Sequence, residues 1–182
     1  MNTNSKRKII ICVLLTVLLF IVFIFSNAIY MIGGASIKDD NRLLYMYRSE
    51  YQENGQNKAV LINSHADLRK YYDENKERYN FDTVNEKATY YELKSFRDFI
   101  FDGYYDAWFT ENSLILLITY ETSDEYYYRL NSLDYWFTKA QVCLYRDKPN
   151  ENAKGEKVCW HTFLEVEKKS FVYSATVEVV DK

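Results

Sequence analysis

The stretch Leu114-Ile115-Leu116-Leu117-Ile118 decides the fold of this chain. Because no polar residue interrupts it, the stretch predicts a central strand that is covered on both faces. Four further segments that favour strands follow it, and turns rich in polar residues separate them. These segments are Tyr126 to Leu133, Lys139 to Arg146, Val158 to Val166 and Ala175 to Val180. Successive strands joined by short turns pair antiparallel, so we expect an antiparallel sheet.

Helical spacing appears in the segment before the central strand. Ser64 and Asp67 match a Ser-x-x-acid capping signature, which predicts a helix that begins at Ser64. A second helix is predicted from the spacing of Leu93, Phe96, Ile100, Tyr104 and Trp108. Arg42 to Ser49 and Ala59 to Ile62 flank a turn-rich segment and predict a hairpin. This order indicates an α+β domain, in which an antiparallel sheet forms a sandwich or open barrel and about two helices cover one side.

The N-terminal residues have the features of a membrane anchor. Lys6-Arg7-Lys8 precedes an almost entirely apolar segment, Ile9 to Ile32, which is long enough for a spanning helix of about 20 residues. Basic residues stay on the cytoplasmic side, so we expect residues 1–8 to be a cytoplasmic tail and residues 9–32 a single transmembrane signal-anchor. Residues 33–41 are then a linker to an extracytoplasmic domain, residues 42–182, at the cell membrane.

Secretion is the alternative to anchoring. Ser26-Asn27-Ala28 fits the small-x-small site of signal peptidase, so cleavage near Ala28 would release the rest of the chain. The apolar run before this site is longer than the usual signal-peptide core of about 7–15 residues, which favours the anchor.

Charge and composition exclude one class of partner. Three of the 23 basic residues and none of the 26 acidic residues lie in residues 1–35, so the remainder has a net charge of −6. An acidic surface repels nucleic acid, and we expect no nucleic-acid role. The chain has 18 Tyr and 11 Phe, which suit half-buried sheet positions and also contacts between proteins.

Cys159 and His161 lie two residues apart, which raises the question of a nucleophile and its base. Strand residues at this spacing share a face but are too far apart for ready hydrogen bonding, so we predict no catalytic pair. Alternation puts Trp160 and Leu164 on the apolar face and Cys159 and His161 on the outer face.

A cross-strand disulfide gives these residues a structural role. Cys143 points away from the apolar face of the preceding predicted strand, so the sequence suggests that Cys143 and Cys159 form a disulfide between neighbouring strands. His161 and Glu165 then form the candidate functional surface on that outer face.

Motifs for metals and cofactors are missing from the sequence. His65 and His161 are the two imidazoles, and neither has the spacing of a metal site such as HxxxH. There is no Walker loop, no GxGxxG and no calcium loop. The sequence therefore predicts no catalytic residues, no metal and no cofactor.

Several motifs resemble those of a group of small, uncharacterised, exported or membrane-anchored proteins of Gram-positive bacteria, especially clostridia. The first is Ile62-Asn63-Ser64-x-x-x-Leu68-x-x-Tyr71, and the second is the stretch from Tyr105 to Leu114. Arg146 at a strand end and Trp160-His161 before an apolar strand complete the likeness, which covers about residues 60–170. More faintly, the chain is similar to the C-terminal domain of PrcB-type protease-complex proteins. The chain departs from the pattern at Trp108, where Phe is usual, and it has no Gly-rich turn after the Leu114 strand.

The resemblance implies an exported domain without an assigned activity that mediates protein contacts, and it transfers no catalytic residues. We therefore expect a membrane-tethered, non-enzymatic binding or interaction domain, whose partners are the membrane and another extracytoplasmic protein. One alternative is an extracytoplasmic hydrolase that uses His161 with a carboxylate such as Glu165. The other is a structural accessory subunit of a membrane complex.

Overall fold

A computed structural model describes residues 15–21, 37–38, 45–86, 88, 92–147 and 155–181. The predicted cytoplasmic tail, most of the predicted span and most of the predicted linker lie outside these residues. Residues 15–21 form a helix, α1. Within the described residues, no helix has both the length and the apolar character that crossing a membrane requires.

The described strands form two four-stranded sheets. In chain order they are β1 (Ile37–Lys38), β2 (Tyr45–Ser49), β3 (Lys58–Ile62), β4 (Asn112–Glu121), β5 (Tyr127–Trp136), β6 (Lys139–Asp147), β7 (Val158–Glu167) and β8 (Ser174–Asp181). Sheet A has the order β1-β5-β6-β8, and sheet B has the order β2-β7-β4-β3. The α+β prediction is confirmed, and the sheets pack face to face as a sandwich.

Helices cover the outer face of sheet B. Helix α2 (His65–Tyr79) begins at Ser64, whose hydroxyl accepts a hydrogen bond of 3.0 Å from the amide of Asp67, as the capping signature predicts. The prediction of a second long helix is wrong. Its residues form a short helix, α3 (Phe96–Asp98), a π-helical turn (Phe99–Gly103) and a 3₁₀ turn (Trp108–Thr110), so its aromatic side chains follow the surface of the sheet.

Sheet B is buried on both faces because it lies between two hydrophobic cores. The sandwich core, between the sheets, includes Ile115, Leu117, Trp160 and Leu164 of sheet B with Leu133 and Val142 of sheet A. The helix-side core lies under α2 and α3 and includes Leu114, Leu116, Cys159, Phe163, Leu68, Phe81 and Phe96. The unbroken apolar run of β4 therefore predicted its double burial correctly.

Several strand neighbours differ from the prediction. β2 and β3 do not form a hairpin, because they lie at opposite edges of sheet B. β6 and β7 follow one another in the chain but belong to different sheets, and β6 instead pairs in parallel with β8. β4 and β5 also belong to different sheets, although only residues 122–126 join them, so the order of strands along the chain does not identify their partners.

The predicted disulfide between Cys143 and Cys159 is wrong. Both cysteines are free, since Cys143 lies in sheet A and Cys159 is buried in the helix-side core of sheet B. The amide of Asn131 donates to the Cys143 sulfur at 3.3 Å. Alternation correctly separated the two faces of β7, but the face that carries Cys159 and His161 is covered by helices rather than outward.

An ionic network joins the two sheets at one end of the sandwich. The Glu121 carboxylate of β4 is 2 % exposed and accepts hydrogen bonds from Arg146 of β6, at 2.8 Å, and from the Tyr128 hydroxyl of β5. Arg146 also pairs with Asp181 of β8 at 2.7 Å. A carboxylate buried in this way needs its partners, because desolvation of an unpaired charge costs several kcal/mol.

We expect Arg146→Met to lower the free energy of unfolding by about 3–5 kcal/mol, because it leaves the buried Glu121 charge without its cation. The matched control is Arg129→Met, whose ion pair with Asp147 is exposed and contributes about 0–1 kcal/mol. The double variant Glu121→Gln/Arg146→Met should lose less than Arg146→Met alone. Denaturant unfolding of the full chain in detergent measures all three, and equal losses for the two arginine variants would contradict the prediction.

Candidate functional site

His161 lies in the middle of β7 and is fully buried in the helix-side core, packed against aromatic rings. Its ring centroid is 4.6 Å from that of Tyr79 and 4.9 Å from that of Phe81. Each of the two ring nitrogens makes a hydrogen bond to a hydroxyl group. Nδ1 is 2.9 Å from Ser49 Oγ, and Nε2 is 3.0 Å from the Tyr71 hydroxyl.

The hydrogen-bond directions around His161 follow from the inventory of donors. Ser49 has one hydroxyl proton and donates it to the Cys159 carbonyl at 2.9 Å. Ser49 Oγ therefore accepts from Nδ1–H of His161, and Nε2 accepts from the Tyr71 hydroxyl. The result is a continuous chain from Tyr71 through His161 and Ser49 to the backbone of β7, in which every polar atom is satisfied.

Burial sets the protonation state of this chain. Desolvation, together with the positive charge of Lys58, lowers the pKa of His161 to about 3, so the imidazole is neutral at physiological pH. Burial also raises the pKa of Tyr71 above its usual range. A general base has to exchange protons with a substrate near the working pH. His161 is shielded from solvent and already uses both nitrogens, so the geometry suits a structural role.

The predicted surface pair of His161 and Glu165 is not brought together. Both residues lie on the same side of β7, but Glu165 is exposed near the end of the strand and accepts a hydrogen bond of 2.9 Å from Tyr104. Burial, reinforced by the Glu165 carboxylate, raises the pKa of Tyr104. His161 contacts Ser49 and Tyr71 instead, so no acid orients its imidazole.

Cys159 is also unsuited to nucleophilic chemistry. Burial in the helix-side core raises the pKa of its thiol to about 11. A thiol is reactive as the thiolate, which needs a lowered pKa and access to solvent. Cys159 therefore serves as a small apolar residue of the core.

A groove with a volume of about 750 Å³ lies at the end of the sandwich where β2 finishes and β5 begins. Tyr127 contributes an exposed aromatic ring to its lining, and Arg48 contributes a basic side chain. Its acidic lining residues are Glu50, Glu92, Asp124, Glu125 and Glu156. The groove thus combines an acidic surface with an exposed tyrosine ring.

Arg48 holds the floor of this groove together. Its guanidinium is 2.6 Å from Asp124 and 2.9 Å from Glu156, which lies 108 residues away in the sequence. Asp124 also accepts a hydrogen bond from the Glu156 amide at 3.1 Å. Arg48 thus shares one positive charge between two carboxylates, and Glu50 and Glu125 lie exposed beside them.

Sequence reasoning did not identify the groove, because its residues come from four separate segments of the chain. The sequence shows Asp124 and Glu125 as acidic residues in a turn, but it does not indicate that they line a groove. Within the part of the chain that the structure describes, no group of three or more His, Cys, Asp or Glu side chains is arranged to hold a metal ion. His65, the other imidazole, has Nδ1 3.9 Å from Asp106.

Comparison of the chain with protein-family models, with curated proteins and with solved structures gives no match. The resemblance to exported clostridial proteins stays a prediction for that reason.

The low pKa of His161 has a consequence for stability. The unfolded chain takes up a proton near pH 6.5, whereas the folded chain does not take it up until about pH 3. The unfolded state therefore binds more protons in this window, and stability contributed by His161 is lost as pH falls through it. We expect wild-type protein to lose about 1.4 kcal/mol per pH unit more than His161→Gln between these limits. Denaturant unfolding at several pH values measures this, and parallel curves would contradict it.

Proposed function

We propose that this chain is a membrane-tethered extracytoplasmic binding domain, non-enzymatic, that receives a cationic segment of a partner protein in the acidic groove. The observation that carries the proposal is the groove itself, an open surface with exposed carboxylates and the exposed ring of Tyr127. The buried imidazole supports the same proposal, because His161 is neutral and sealed away from any substrate.

The anchor is supported by the surface of α1. Its apolar side chains are exposed, and they include Leu15, Val17, Leu18, Leu19, Phe20 and Ile21. A helix that is apolar on all sides is suited to lipid or to a large core rather than to water. Together with the basic residues at 6–8 and the apolar run that follows them, this helix favours a signal-anchor with residues 42–182 outside the cytoplasm.

The charge of the groove indicates the chemistry of its ligand. Opposite charges at an interface steer the encounter and set specificity, so an acidic groove favours lysine or arginine side chains. An exposed tyrosine ring adds a second attraction for the same side chains, because a cation stacks favourably on an aromatic face. Tyr127 is exposed at the rim, where a ring of this kind is accessible.

The hydrolase alternative depends on His161 as a base beside Glu165. The separation of these residues and the low pKa of the imidazole both weigh against it. The accessory-subunit alternative differs from the proposal only in the permanence of the contact, and the same groove would serve it.

We expect the full chain in nanodiscs to bind a fluorescent oligolysine peptide and not an oligoglutamate peptide of equal length. Glu50→Gln/Glu125→Gln should weaken oligolysine binding roughly fivefold to tenfold, as for two exposed charge pairs of about 0.5–0.7 kcal/mol each. Fluorescence anisotropy at low and high salt measures the affinity. Binding should also weaken with salt, because exposed charges are screened.

The control for this experiment is Glu111→Gln/Glu178→Gln, which removes the same charge from exposed sites outside the groove. It should bind oligolysine like wild type. Equal weakening in both double variants would show that net charge, and not the groove, attracts the peptide, and the proposal would fail.

The anchor has its own test. We expect the full chain to stay in the membrane fraction after alkaline carbonate extraction, since a spanning helix is not released with peripheral proteins. Protease added to intact cells should digest residues 42–182 while a cytoplasmic marker protein survives. Recovery from the medium of a chain that starts just after Ala28 would establish cleavage instead.

A further inference from the structure

Three large aromatic side chains are exposed together at the end of sheet A. Trp136 is 57 % exposed, Phe137 63 % and Tyr173 74 %. Trp136 and Lys139 are paired across a two-residue turn, and the Tyr173 amide donates to the Thr138 carbonyl in that turn at 2.8 Å. We call Trp136, Phe137 and Tyr173 the aromatic tip.

The backbone conformation of the turn does not favour a phenylalanine at position 137. Phe137 has φ of 50°, in the left-handed region, and the following residue, Thr138, does not share this conformation. Two-residue hairpin turns favour glycine, asparagine or aspartate at such positions, and a bulky residue there is strained. A residue that is both strained and exposed contributes little to the fold, which points to a contact outside the domain.

The direction of β1 bears on where the proposed anchor meets the domain. β1 is antiparallel to β5, with Ile37 opposite Leu133 and Lys38 opposite Ser132. Followed toward the N-terminus, β1 therefore runs toward Trp136. Five peptide steps separate Ile37 from Ile32, the end of the predicted span, and they reach at most about 18 Å at about 3.3–3.6 Å per residue.

We propose that the aromatic tip inserts into the lipid interface of the membrane that holds the anchor, and thereby fixes the orientation of the domain. Tryptophan and tyrosine favour the boundary between headgroups and hydrocarbon, where the ring is buried and its polar edge stays hydrated. The exposed Lys139 beside Trp136 is placed to meet headgroup phosphates. This inference rests on the anchoring proposed above.

The opposite end of the sandwich fits this orientation. The acidic groove lies where β2 ends and β5 begins, whereas the aromatic tip lies at the end of β5. A strand of 10 residues is about 33 Å long, so the groove faces away from the membrane at roughly this distance. Its carboxylates are then far from anionic lipids and open to a partner.

Tryptophan quenching by brominated lipids tests the inference. The full chain is reconstituted in phosphatidylcholine vesicles that carry bromine either near the headgroup or near the chain ends. We expect quenching to be stronger for the shallow bromine, and we expect Trp136→Phe to lose this lipid-dependent component. Phe137→Gly should reduce it as well, since it removes a neighbouring ring from the interface while relieving the strained turn.

The matched control moves the indole to the other end of the same sheet face. Val180→Trp in the Trp136→Phe background has its new tryptophan near Arg146, at the groove end, and should not regain the quenching. Flotation of the vesicles distinguishes a failure of the aromatic tip from a failure of the membrane anchor. A chain that floats without quenching of Trp136, or with equal quenching at position 180, overturns the tip and leaves the anchor. A chain that fails to float overturns both.

Discussion

Burial of β7 on both of its faces is the constraint on which the rest of this structure depends. Trp160 and Leu164 pack between the sheets, whereas His161 and Phe163 pack under the helices, and β4 repeats the arrangement along the whole length of β7. An imidazole in the middle of such a strand has no route to water. It is therefore neutral, and its hydrogen bonds to Ser49 and Tyr71 tie β7 to β2 and to α2.

Because sheet B is buried on both faces, its charged side chains lie near the ends of the strands. Charged groups inside sheet B would be desolvated, so they appear where strands finish, as Glu121 with Arg146, Glu165 with Tyr104, and Arg48 with Asp124. One end of the sandwich gains an acidic groove, and the other end gains exposed aromatic rings. A rigid domain with two chemically different ends is suited to holding a partner at a set distance from a surface.

Local patterns predicted those features that depend on neighbours in the sequence. The Ser64 cap fixed the start of α2, the apolar run of β4 indicated its double burial, and alternation separated the two faces of β7. The helix predicted around Phe96 and Ile100 failed, because contacts of its aromatic rings with sheet B replaced helical regularity. The disulfide failed for another reason. Alternation assigns a residue to a face, but it does not identify which strand lies beside it.

The sequence by itself determined the α+β class, the acidic character of the domain and the apolar segment that suggests an anchor, since each follows from composition or from spacing along the chain. Tertiary structure alone decided which residues share a site. Arg48 and Glu156 meet across 108 residues, and His161 is sealed by rings from α2, α3 and the loop at Phe81. The physical reason is that burial and ion pairing depend on what packs above a residue, and that is decided by the whole fold.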